Sequence, residues 1–520
     1  MPSDPAVVSL YQLPEIELED GHLLDIVDDA VRAILAASEP HLFQRGSSLV
    51  RLKRIERKET KRGVTRQAGS LIISEATSEY IRCEMARTAR YIRFNKKEKK
   101  YLPTDPPLKY AHAIATRDEL PFKMLQATIE APTLRADGSI LQQYGYDEKT
   151  GLFFDSPEIF PPIPDNPSKA DAEAALQKIA ALLKDFPFVE GGLPVALASI
   201  MTALVRRSLR SAPMFVFDAP ASRSGKTLLS CVMARVATGR DPATQTYTGD
   251  DDEDRKRLIA TLLAGDAVVV FDNVTKPMYG FATLFQALTG ENVDDRLLGT
   301  NTTVRVASCT TFVVTGNNAT ISGKDLSNRV LKCRIDACME KPEEREFDYN
   351  LLDYIIEQRP DLVVAALTAM RGYVVAGREK LDGIKPWGGF EGWCEMVRHP
   401  LIWLGYGDPC ASRTEVEDVD PETAKLNNLI DALDNQFRDR KFSVAEAVAL
   451  AHKDANDTKQ YFKDISPLHE ALAAMCWKGE ITPDAVGKAM RGFKDRVVGN
   501  RKLIKAGVTH KVTQWAIIRL

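Results

Sequence analysis

MFVFDAPASRSGKTLLSCVMARVATG, residues 214–239, is the stretch on which the reading of this 520-residue chain turns. Residues 214–217 form a continuous apolar run suited to a buried strand, and 228–237 carry apolar residues at helical spacing with Gly239 just beyond. Between them lies PASRSGKT, 220–227, in which three adjacent residues suit a phosphate. Gly225 lets the backbone wrap closely around the anion, Lys226 reaches the outer phosphates, and the Thr227 hydroxyl can ligate Mg²⁺ while the helix N-terminus faces the negative charge. Pro220, Ser222, Arg223 and Ser224 form the rest of the loop, and Leu228 follows it into the helix. Pro220 occupies the first glycine position of G-x-x-x-x-G-K-[ST], and Arg223 sits where many such loops have another glycine. GKT alone is weak; the strand before it and the helix after it make this a nucleotide-binding loop.

The chain after this loop supplies the partners such a site needs. DDEDRKRLIATLLAGDAVVVFDNVTK, 251–276, runs from an acidic helix start into a second buried strand, 267–271, that ends in Asp272 and Asn273. A carboxylate at that position can hold Mg²⁺ beside the phosphate loop when the two parallel strands are close neighbours. RLLGTNTTVRVAS, 296–308, alternates apolar and polar residues around a polar turn and predicts a β-hairpin. TTFVVTGNN, 310–318, is a further apolar strand tipped by Asn317 and Asn318, and either amide can donate to a phosphate and accept from an attacking water. GKDLSNRVLKCRID, 323–336, then places Arg329 before another short strand, where it could be offered to a neighbouring subunit's nucleotide.

Composition fixes the setting. With 44% hydrophobic residues and 520 residues in all, several globular domains are expected. The formal net charge of −3 excludes a uniformly basic nucleic-acid coat, so contact with nucleic acid must come from local clusters. Eight cysteines stand without a C-x-x-C pair, which indicates neither a structural metal nor a disulfide framework. No basic region followed by an apolar core opens the chain, and its longest apolar stretch is too short to span a bilayer; a soluble, cytoplasmic protein with no membrane partner is expected.

Four segments follow from these patterns. Residues 1–165 read as an α+β region, a collar or DNA-loading surface, with basic clusters at Lys53, Arg54, Arg57, Lys58, Lys61 and Arg62 and at Arg93, Lys96, Lys97, Lys99 and Lys100. Tyr91, Phe94 and Tyr101 interleave the second cluster. The proline-rich FPPIPDNPSKAD, 160–171, marks a boundary and ends in a Ser168 N-cap, opening an α/β core with a helical lid over 166–410. Trp387, Trp393 and Trp403 in that lid read as core. Residues 411–425 are acidic and apolar-poor, a linker. Three helical patterns with Ser or Thr starts, then two strands, make 426–520 winged-helix-like, with DNA contact expected from Lys488, Arg491, Lys494, Arg501, Lys502 and Lys505.

Taken in order, the phosphate loop, the strand ending in Asp272, the hairpin, the strand ending in TGNN and Arg329 resemble the AAA+ P-loop ATPases of the superfamily 3 helicase type. The phrases EAPTLRADGSI, GYDEKTGLFF, TGNNATISGKDLSNRV and WLGYGDP are similar to the helicase half of phage and plasmid primase-helicases. The resemblance implies an ATP- and Mg²⁺-dependent DNA helicase or translocase of a phage or mobile element, working as a homo-hexameric ring on single-stranded DNA. It assigns phosphate binding to Lys226, Mg²⁺ to Thr227 and Asp272, the sensor to Asn317 and the arginine finger to Arg329. The hairpin tip around Thr302 maps to the DNA grip in the ring channel, and carries no lysine here. Asn273 stands where many AAA+ members have the glutamate that polarises water, and asparagine cannot act as a base. Glu253 or Asp254 on the preceding helix are the carboxylates left for that task. The competing expectation is a nucleotide-gated initiator or switch that assembles on DNA without unwinding it.

Overall fold

The computed structural model describes residues 13–37, 42–46, 48–117, 121–296, 303–339, 341–345, 349–413, 421–456, 466–476, 480–498, 500–510 and 512–519. The chain divides into two compact units. One comprises Met1–Lys276, Phe281–Ala319 and Arg329–Ser412, the other Pro277–Gly280, Thr320–Asn328 and Arg413–Leu520.

The first unit is an α/β fold around a seven-stranded sheet. In chain order its parts are β1 (Glu59–Lys61), β2 (Val64–Arg66), α1 (Lys169–Leu182), α2 (Gly192–Val205), β3 (Met214–Ala219), α3 (Lys226–Thr238), β4 (Ala243–Gln245), α4 (Asp251–Ala264) and β5 (Val268–Phe271). There follow α5 (Ala282–Thr289), the hairpin β6 (Asn292–Arg296) and β7 (Thr303–Ala307), then β8 (Thr311–Asn317), β9 (Val330–Arg334) and α6 (Leu351–Val375). The sheet order is β9-β3-β8-β5-β4-β2-β1, parallel from β9 to β4 and antiparallel from β4 to β1. Parallel strands are covered on both faces, which is why every residue of β3 and β5 is buried and all but Asp218 are apolar. Helix α2, apolar all round, is buried nearly all round, and α6 packs on α1 and α3. Trp387, Trp393 and Trp403 lie in the same core, with Trp393 Nε1 donating to Thr202 Oγ1 at 2.8 Å.

Two boundaries differ from the sequence expectation. The chain does not part at residue 165: Phe160 and Ile163 are buried in one core with Leu134, Leu152 and Leu176, and β1 and β2 extend the core's own sheet. The Gln142 side chain serves the backbone of the proline run, Nε2 donating to Pro161 O at 2.6 Å and Oε1 accepting from Ile163 N at 3.0 Å. A buried ion pair holds β2 in place, Arg66 Nε donating to Asp266 Oδ1 at 2.8 Å. The N-cap at Ser168 is present as a reciprocal capping box with Asp171. Residues 13–122 also enclose a satellite core of their own, centred on Val27, Ile81 and Tyr110.

The second correction concerns 411–425. Ser412 is buried in the first unit and residues from Pro421 are helical, α7 (Pro421–Phe437); residues 414–420 lie outside the described ones. The second unit continues with β10 (Phe442–Ser443), α8 (Val444–Asn456), α9 (Pro467–Met475), α10 (Pro483–Phe493), β11 (Val497–Val498), β12 (Arg501–Thr509) and β13 (Val512–Arg519). Its sheet order is β10-β13-β12-β11, and its core joins Leu429, Leu433, Phe442, Leu472, Val486, Leu503 and Trp515. The order is α7, three further helices, then the long β12–β13 hairpin.

Among the described residues no helix is long and apolar enough to cross a membrane, and no three His, Cys, Asp or Glu side chains form a group that could hold a metal ion.

Candidate functional site

The carboxyl ends of β3, β5 and β8 open onto one cavity of about 570 Å³. Loops at this end of a parallel sheet are the usual ligand position in α/β folds, and the volume falls within the range of small-molecule sites. Ser222 to Leu228 form its floor, Asp272 and Asn273 one side, and Thr315, Gly316 and Asn317 the back. Pro220 is exposed and does not line it.

The loop 220–227 joins β3 to α3 through a left-handed glycine. Gly225 is the N-cap of α3 at φ 105°, a conformation that strains any residue with a Cβ, and an added Cβ would sit 3.4 Å from the Phe186 ring. Lys226 Nζ arches back to Ala221 O at 2.8 Å, and Ser224 Oγ reaches the same carbonyl at 2.8 Å. Burial holds the Lys226 ammonium below the usual lysine range, against the opposing pull of Asp218. Burial likewise pushes the thiol of Cys231, one turn into α3, up to about 12, so it stays protonated near neutral pH.

Asp272 is fixed by its neighbours. Its amide donates to Gln245 O at 3.0 Å, and its Oδ1 accepts from Thr315 Oγ1 at 2.6 Å. The same Thr315 hydroxyl oxygen accepts from Asn273 N at 3.0 Å, so β5 and β8 are pinned together at the cavity. Arg223, Asn273 and Asn318 all have left-handed backbones, at φ 59°, 53° and 46°. Such residues cluster where a backbone is shaped for a ligand, at a cost of order 1–3 kcal/mol each.

Of the two asparagines at the tip of β8, Asn317 faces the cavity, whereas Asn318 Oδ1 accepts from Arg334 Nη2 at 3.1 Å. Arg334 also pairs with Asp218, a fully buried carboxylate on β3 that accepts from Ala319 N at 2.7 Å and pairs with Lys332 at 3.0 Å. This cluster locks the strand tips behind the loop.

The outer wall of the cavity comes from segments that carry no motif: Asp185 and Phe186 before α2, and Arg345, Tyr349, Asn350, Leu351 and Leu352 at the start of α6. Asn350 caps α6, accepting from Leu352 N at 3.1 Å. Phe186 stacks on Phe188 with ring centroids 5.7 Å apart. The cavity therefore joins a floor carrying Lys226 at a helix N-terminus to an outer wall where Phe186, Leu351 and Leu352 stand among Asp185, Arg345 and Asn350. The Thr227 hydroxyl and the Asp272 carboxylate make the hard oxygen donor set suited to Mg²⁺.

Other residues singled out in the sequence lie elsewhere. Glu253 accepts from Arg257 Nε at 3.1 Å and does not line the cavity. Asp254 is buried, accepting from Thr248 N at 3.0 Å and Gly249 N at 3.0 Å, and so closes the turn before α4. Among the described residues, the carboxylates that line the cavity are Asp272 and Asp185. Arg329 precedes β9 and pairs through its neighbour Val330 with Met214, the first residue of β3. It thus sits at the opposite end of the sheet from the cavity, about 16 Å away along five strand residues. Its guanidinium lies 5.1 Å over the Phe285 ring.

In the second unit, Lys488 and Arg491 are exposed on α10, whose other face buries Val486, Gly487 and Met490. Lys494 pairs with Asp495 at 3.1 Å, and Lys502 and Lys505 lie on β12. Arg501, also expected at DNA, is instead engaged by Asp431 and by Asp434 at 3.0 Å, a pairing that holds the Asp434 carboxyl below the usual aspartate range. Thr302 lies outside the described residues, as does the rest of the hairpin tip, 297–302.

No protein-family model and no curated protein matches the chain. Among solved structures it is similar to the apo C-terminal region of NrS-1, at 11% identity over 84% of this chain and 98% of that one, with a TM-score of 0.33. A second apo structure of that region, residues 305–718, gives 12% identity over 86% and 100%, with a TM-score of 0.33. JCV helicase matches at 14% identity over 46% of this chain and 60% of that one, with a TM-score of 0.20. Likenesses of this size decide neither fold nor activity, which rest on the geometry above.

Proposed function

We propose that the chain is an ATP-dependent DNA helicase or translocase serving replication of a phage or mobile element. It works as a homo-hexameric ring in which Arg329 of each subunit completes the nucleotide site of the next. One observation supports this reading above the others: Lys226, Thr227, Asp272 and Asn317 share a cavity at one end of the sheet, while Arg329 stands at the other. An arginine there can reach a nucleotide only on another copy of the chain.

Bound ATP with Mg²⁺ supplies the phosphoanhydride and the cation that neutralises its developing charge. Lys226 and the α3 N-terminus hold the phosphates, Thr227 and Asp272 hold the metal ion, and Phe186, Tyr349 and Leu352 receive the base. Asn317 donates to the terminal phosphate and orients the attacking water with its carbonyl oxygen. Lys488, Arg491, Lys494, Lys502 and Lys505 contact DNA phosphates. ATP hydrolysis by the purified chain, with and without single-stranded DNA and with Lys226→Ala as blank, tests the proposal. Stimulation by DNA is expected; bound ATP that is never turned over would overturn it.

A second reading is favoured by Asn273, which brings no carboxylate next to Asp272. In it, ATP gates assembly on DNA without strand separation. A forked-duplex assay separates the two, since assembly alone gives binding and no displacement.

A further inference from the structure

The antiparallel hairpin Arg90–Asn95 and Lys100–Pro103 has no part in the nucleotide site. One face of it is closed. Tyr91 lies beside Ile16 of the parallel strand Glu15–Glu17, and both are buried in the satellite core. Strand alternation sends Phe94 and its direct cross-strand partner Tyr101 to the other face. There they are 45% and 48% exposed, with ring centroids 5.3 Å apart and planes at 66°. Glu17 beside it holds the Tyr101 hydroxyl above the usual tyrosine range.

The tip beside these rings is basic and ordered. Lys96, Lys97, Lys99 and Lys100 are all exposed, as is Arg93, against the single carboxylate of Glu98, which pairs with Lys100 at 2.8 Å. Asn95 Oδ1 accepts from Lys97 N at 2.9 Å and Glu98 N at 3.2 Å, and Lys99 takes a left-handed backbone at φ 51°. The turn thus projects its lysines from a fixed base next to two aromatic faces held open to water.

We propose that this hairpin is a platform for single-stranded nucleic acid, with bases stacking on Phe94 and Tyr101 and phosphates running to Lys96, Lys97 and Lys99. Aromatic side chains interleaved with cations bind such strands with little sequence preference, because every base has a π-face. A duplex offers no free base faces. An anionic bilayer fits worse than a strand: both rings are only about half exposed, which leaves little apolar area to bury in lipid. The proposal is independent of the nucleotide site.

The test uses the full chain without nucleotide and a labelled oligothymidylate over a salt series. Phe94→Ala with Tyr101→Ala should weaken binding about five- to a hundredfold. Lys96→Gln with Lys97→Gln and Lys99→Gln should reduce the slope of log affinity against log salt by about 2. Phe94→Tyr with Tyr101→Phe keeps both rings and should bind as the wild type does. A bromodeoxyuridine oligonucleotide should crosslink to the peptide carrying Phe94 or Tyr101, which separates this surface from any other on the chain. Wild-type affinity in the folded double-alanine protein, or adducts confined to other peptides, would overturn the proposal. So would loss of binding to anionic vesicles in place of loss of binding to the oligonucleotide.

Discussion

Where the parallel strands begin, Arg206 is fully buried and donates to Leu209 O at 2.8 Å, Thr310 O at 3.0 Å, Ala287 O at 3.2 Å and Ser308 Oγ at 3.2 Å. Where the same strands end, Lys226 and Arg345 line a cavity. Arg206 is balanced by carbonyls, not carboxylates, and burial lowers its pKa to about 10, so it is still cationic at neutral pH. Beside it Arg207 bonds to Thr128 O, and Arg66 closes on Asp266. The cations at the strand starts thus bind the fold to itself, whereas at the strand ends Arg334 closes on Asp218 and Lys226 lines a cavity with room for an anion. Arg329 shares the closed end with Arg206 but is only half-buried, over an aromatic ring.

That contrast can be broken at four points. The largest effect is expected from Arg329→Ala, with turnover down about a thousandfold and nucleotide affinity unchanged. A fall in melting temperature in place of that loss would put Arg329 with the structural arginines. Arg206→Met strands several buried acceptors and should lower unfolding free energy by about 3–5 kcal/mol, read from urea denaturation. Lys226→Ala should weaken nucleotide binding about a hundredfold with no change in melting temperature, since its amine meets only one carbonyl of its own chain.

The smallest effect concerns pH. The cationic form of Lys226 binds phosphate, and burial brings its deprotonation below the ordinary lysine range. Affinity should be steady near neutrality and fall as pH rises through the lowered lysine range, with proton uptake on binding there measurable by calorimetry in buffers of different ionisation heat. Lys226→Arg, cationic throughout, should flatten the profile.

The floor of the cavity was legible from sequence because its parts are local. A strand, a turn and a helix start fall within PASRSGKT and its flanks, and Asp272 and Asn317 each end a buried apolar run. The outer wall was not. Phe186, Arg345 and Tyr349 meet only because α6 packs back on α1 and α3, and no spacing within one segment records that. The same reason hid the pairing of β2 with β4, since a short strand's alternation does not name its partner. Arg501 read as a DNA contact because its sequence neighbours are basic; the carboxylates that engage it are about seventy residues earlier, on α7. Helix α7 itself was missed at its start, where acidic and turn-forming residues resemble a linker.

The most direct test of a site shared between copies is to mix two proteins that each fail alone. Lys226→Ala leaves Arg329 intact but removes the phosphate lysine; Arg329→Ala does the reverse. ATP hydrolysis by the mixture should recover, because Arg329 of a Lys226→Ala subunit can complete the cavity of an Arg329→Ala neighbour. A mixture that assembles on one another and still shows no hydrolysis above the separate proteins would contradict the shared site.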